Sequence, residues 1–130
     1  MFQAQGYAGS ATRRYAAVHA GSRIEGATPH GLVKILFDEL LFAMDAAALA
    51  ERRGEHAKAS DRITRALSIL HALEGSLDFE KGGDIAVGLA QIYRETRRLL
   101  LSAVKGRVPE DIERARAMIG EIAEAWNTIA

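Results

Sequence analysis

An all-α fold, an antiparallel up-down four-helix bundle with a flexible N-terminal arm carrying a short helix, is predicted by three features of this sequence. Ala, Leu, Arg and Glu dominate and Pro occurs only twice, and those residues lose little rotamer freedom in a helix. Apolar residues recur at steps of three and four, and strand-type alternation is absent. Glycine-containing breaks divide residues 29–130 into four segments, and short connections put sequential helices side by side.

Residues 1–28 form the arm. Gly6, Gly9, Gly21 and Gly26 interrupt it, and glycine is costly inside a helix; a short helical phrase fits only from about Ala11 to Val18. The bundle occupies residues 29–130. Its first helix, 29–53, opens on Thr28-Pro29, an N-cap followed by the residue best suited to the first helical position. It closes on Arg52-Arg53-Gly54, where cations suit the dipole and glycine suits a left-handed cap. The second, 56–80, carries Ile63, Ala66, Leu67, Ile69, Leu70, Leu73 and Leu77 on one arc, and Gly82-Gly83 then breaks the chain. The third, 84–105, places Ile85, Leu89, Ile92, Leu99 and Ala103 on one face, with Arg94, Arg97 and Arg98 opposite. The fourth, 109–128, begins at Pro109 with Glu110 and Asp111 in its first turn. Ile112, Ala115, Ile119, Ile122, Trp126 and Ile129 then repeat as a heptad seam.

Composition narrows the function. A length of 130 residues argues for one arm-bearing domain. Seventeen basic residues balance 17 acidic ones, against a general nucleic-acid binder, which needs excess cations to neutralise phosphates. There is no cysteine, and no apolar run of spanning length, so no membrane insertion is expected and a cytoplasmic location is. The histidines His19, His30, His56 and His71 show no metal-ligand spacing. Gly82-Gly83 lacks the lysine and preceding strand of a phosphate loop. Arg65 and His71 loosely match the spacing of helical HEPN nucleases, but six residues turn a helix by about 240° and point the two side chains apart. The arginines of the third helix read as a solvated face, without aromatic residues to stack bases. No catalytic residue, metal site or cofactor is expected.

The first helix is apolar on two faces. Leu32, Val33, Leu36, Phe37, Leu40, Ala43, Met44 and Ala47 fill an arc of about 140°, wide enough for a bundle core. Ile35, Phe42 and Leu49 recur every seven residues along a second line. Such a line is either covered by neighbouring helices or the arm, or it is offered to a partner.

Five segments, in order, resemble the FliS family of flagellar export chaperones. They are Tyr15, fourteen residues before Pro29; Thr28-Pro29-His30-Gly31-Leu32 with Leu36-Phe37-Asp38; and Ser76-Leu77-Asp78-Phe79-Glu80-Lys81-Gly82-Gly83-Asp84-Ile85-Ala86. Leu89 with Ile92-Tyr93 and Arg97-Arg98-Leu99 follows, and Ala125-Trp126 closes the series. The sequence departs from the family pattern at Thr12, at Arg13-Arg14 before Tyr15, and at Arg94 after Tyr93. The resemblance implies a cytoplasmic, non-enzymatic bundle that binds the disordered C-terminal segment of flagellin, prevents premature polymerisation and delivers it to the type III export apparatus. It implies flagellin and an export gate component as partners. The expected partner-binding residues are Tyr15, Ile35, Phe42, Leu49 and Tyr93. Tyr15 is expected to anchor the arm in or beside the client groove, so that deleting residues 1–24 raises client affinity about fivefold in a calorimetric titration. The competing readings are a HEPN-like nuclease, and a structural bundle that self-associates through the second line of the first helix.

Overall fold

A computed structural model describes residues 28–129, and the arm, with Tyr15 and the helical phrase at Ala11–Val18, lies outside the described residues. Among the described residues there are four helices and no strand: α1 (Pro29–Arg52), α2 (His56–Gly75), α3 (Phe79–Gly106) and α4 (Pro109–Ile129). They close a ring in which α1 packs on α2 and α4, and α3 packs on α2 and α4. The helices α1 and α3 are therefore diagonal.

Local chemistry accounts for most boundaries. Thr28 accepts the Gly31 N–H at 3.1 Å and Pro29 follows it, satisfying one of the donors a helix start leaves unpaired. At the far end Gly54 sits at φ 74°, the left-handed cap that the Arg-Arg-Gly sequence predicts.

The junction between α2 and α3 differs from the sequence expectation. The second helix stops at Gly75, not near residue 80, and Ser76 turns its hydroxyl back onto the Leu73 carbonyl at 2.8 Å. Asp78 then caps α3 by accepting the Lys81 N–H at 3.0 Å. A capping carboxylate compensates a new helix start, so Phe79–Gly82 goes to α3. The Gly82-Gly83 break survives as a kink inside α3: Gly83 has φ 50° and ψ −127°, a conformation open in practice to glycine alone.

All four helices feed one core, with Leu40, Met44, Ile63, Ile69, Leu70, Leu73, Leu100, Ile112 and Ile119 fully buried. The core line of α3 is Ala86, Ala90, Tyr93, Thr96, Leu100 and Ala103. Ile85, expected on that line, is instead 75% exposed. It sits about 100° around the helix from Ala86, at the rim, and the pattern reading weighed its size above its phase. Ile129, at the tip of α4, is also exposed.

One end of the bundle is tied by an aromatic group. Trp126 donates its indole N–H to the His30 carbonyl at 3.1 Å and stacks on the His30 ring at 4.3 Å between centroids. Phe37 meets the same indole edge-on at 6.4 Å. This joins the last turns of α4 to the first turns of α1, and it gives the indole N–H the partner that a half-buried Trp requires.

Candidate partner-binding faces

The second apolar line of α1 divides in the folded molecule. Phe42 is 66% exposed and Leu49 51% exposed, on the side turned away from the core. Ile35, the third member, is 6% exposed yet stands outside the buried core cluster. Tyr93, on α3, is not part of that line. It is 2% exposed within the core, and burial pushes its phenol up to about 12. The single sequence pattern "apolar every seven" could not separate these cases, because Ile35 lies nearer the core arc than Phe42 and Leu49 by a few tens of degrees.

Charged pairs frame the exposed α1 line. Arg116 of α4 donates to Asp45 at 3.1 Å. Arg52 makes a two-pronged contact with Glu113, at 2.9 and 2.7 Å, with Glu110 at 3.6 Å. Hydrogen bonding from Arg52 holds the Glu113 carboxyl below its ordinary value, and Glu113 raises the guanidinium in turn. On the α2 side Arg65 meets Glu39 at 3.1 Å. Two large apolar side chains, about 10 Å apart along the axis, thus stand between rows of ion pairs.

A second outward face lies on α3, and the sequence reading did not find it. Val87 and Leu101 are exposed there, 46% and 52%, in line with Arg94, Arg98 and Lys105. The signal was present in the three-and-four spacing of Val87, Gln91, Arg94, Arg98, Leu101 and Lys105; interleaved cations masked it. Arg97, grouped by sequence with the solvated arginines, instead turns toward α2 and pairs with Glu74. Arg98 pairs along its own helix with Glu95, which pulls the glutamate carboxyl below its ordinary value.

The remaining polar groups are structural in their contacts. Glu51, buried, is held by His56 at the α1–α2 turn, beside an open cleft of about 400 Å³ lined also by Ser60, Val104 and Arg107. Among the described residues, no group of three His, Cys, Asp or Glu side chains could hold a metal ion. Among them too, no helix is long and apolar enough to cross a membrane. Arg65 is engaged by Glu39, and His71 is exposed, so the pair that suggested a nuclease is not assembled into a site.

Comparison with known proteins places this geometry. The family model described as flagellar protein FliS matches residues 11–130. The flagellar secretion chaperone FliS of Salmonella typhimurium is 34% identical over 125 residues, covering 95% of this chain and 93% of the relative. The namesake from Vibrio cholerae is 29% identical, covering 88% of this chain and 85% of its own length. The flagellar secretion chaperone FliSB of Pseudomonas aeruginosa is 26% identical over 95% of this chain and 98% of its own. This helical bundle, matched along almost its whole length, belongs to the FliS family, whose curated relatives are named flagellar secretion chaperones, a chaperone family and not an enzyme family.

Proposed function

We propose that this chain binds the disordered C-terminal segment of flagellin in the cytoplasm, prevents its premature polymerisation and delivers it to the flagellar type III export apparatus, meeting an export gate component on the way. The observation that carries the reading is the exposed pair Phe42 and Leu49 on α1, one heptad apart and framed by ion pairs. A segment built to pack helix on helix in a filament is amphipathic, and while free it is prone to aggregate. An anchor line on a helical bundle satisfies the same apolar stripe without permitting filament growth. No nucleotide or metal is needed: a segment that folds as it binds loses about 2–5 kcal/mol to ordering, which leaves the complex specific yet releasable.

Circular dichroism tests the reading. A mixture of the chain with a flagellin C-terminal peptide should show more helix than the sum of the separate spectra. A spectrum equal to that sum, with no heat of mixing, would remove the proposal.

A further inference from the structure

We propose that the second half of α3 docks this chain on an anionic phospholipid surface, lying along the headgroups without entering the bilayer core. The observation is how charge is divided within a neutral chain. Between Gln91 and Arg107 stand five cations, Arg94, Arg97, Arg98, Lys105 and Arg107, and one carboxylate, Glu95. Along α1 four carboxylates outnumber two cations, and along α4 five outnumber two. Charge divided in this way turns one side of a molecule toward negative charge even when the whole carries none.

The cations share a face with apolar side chains. At the ideal helical step Arg94, Arg98, Leu101 and Lys105 fall within about 60° of one another round α3, and all four are exposed. Leu101 is 52% and Val104 38% exposed among them. Arg97 turns aside to Glu74, and Glu95, at the edge of the face, is held by Arg98. The α4 carboxylate that reaches α3, Asp111, accepts from Ser102 at 3.2 Å and pairs with Arg114 at 3.5 Å. Among the described residues, Arg94, Lys105 and Arg107 pair with no carboxylate. Arg107 itself closes α3 in the left-handed conformation, φ 54°, one residue after Gly106. A cation thus stands where glycine would be free of strain.

The chemistry of the face selects its occupant. No aromatic residue lies between Arg94 and Arg107, so it lacks the buried aromatic anchors that dominate protein interfaces. A lipid surface requires only spread negative charge and shallow contact with aliphatic side chains. Each Lys or Arg held near an anionic leaflet strengthens binding about fivefold, or about 1 kcal/mol. The stretch from Gln91 to Arg107 is about 24 Å long, and its field reaches about 8 Å at physiological salt. Docking is therefore weak, reversible and sensitive to salt. Because α1 is diagonal to α3, Phe42 and Leu49 stay turned away from the surface while the chain is docked. The inference is independent of what α1 binds.

Cosedimentation of the full chain with vesicles of phosphatidylglycerol and phosphatidylcholine in equal parts tests it, against vesicles of phosphatidylcholine alone. The wild type should bind the anionic vesicles, leave them as salt is raised, and ignore the neutral ones. Arg94→Gln combined with Lys105→Gln should weaken binding about 25-fold, at about fivefold for each cation. Arg107→Gly should weaken it about fivefold yet melt no lower than the wild type, since glycine suits the left-handed position. Lys34→Gln, exposed on α1, and Arg13→Gln combined with Arg14→Gln in the arm should leave binding unchanged. A wild type without preference for the anionic vesicles would overturn the proposal, as would a Lys34 or arm variant that loses as much binding as the Arg94 and Lys105 pair. Binding to a polyglutamate peptide but not to the vesicles would assign the face to an acidic polypeptide and overturn it too.

Discussion

Leu40 and Phe42 stand two residues apart on α1 and meet opposite environments. Leu40 is fully buried at the centre of the core, whereas Phe42 is 66% exposed on the outer stripe. Leu40→Ala should cost about 2–5 kcal/mol, the transfer term plus the cavity left behind. Phe42→Ser should change stability by less than about 0.5 kcal/mol, as surface substitutions do. Urea melts of both variants check the pair; a large loss in Phe42→Ser would place that ring in the core. Glu113 offers a second test at this scale. Its hydrogen bond from Arg52 lowers the folded-state value, so the pair's contribution is present above the ordinary glutamate range and is lost as pH falls through the lowered one. The Glu113 titration followed by NMR should have its midpoint below the ordinary value, and Arg52→Gln should move it upward.

At the scale of the element, α3 carries a kink that sets two glycines against each other. Gly83 holds a positive φ of 50° that other residues adopt only at a cost, whereas Gly88 lies in regular helix with open space where a Cβ would go. Gly83→Ala should destabilise by about 1–3 kcal/mol and Gly88→Ala should stabilise by about 0.5–1 kcal/mol. Thermal melts read both signs at once, and equal effects would mean that the kink is not built on Gly83. This element also shows what the sequence left open. Gly82-Gly83 reads plainly as a break, yet whether a break separates two helices or bends one depends on what lies upstream. Here Asp78 caps a new turn before the glycines. A cap four residues ahead of a glycine pair is legible only when the competing helix end, at Ser76, is weighed with it.

At the scale of the molecule, the bundle was legible because each helix repeats its apolar residues at one period and the connections are short. Thr28-Pro29 and Pro109 located two helix starts outright. The faces were legible only in part. The outward face of α3 contains so few apolar residues that periodicity alone ranks it with solvated surface, whereas the second line of α1 stands out in the sequence. Small residues, Ala86 and Ala90, mark the core line of α3, and Tyr93 is the largest side chain on it. The outer face of α1 is the proposed seat of the client. Calorimetric titration of a flagellin C-terminal peptide into the wild type and into the folded Phe42→Ser variant measures that most directly. One peptide per chain and an affinity reduced at least tenfold by the substitution is the result expected; equal affinity in the two forms would contradict the assignment of that face.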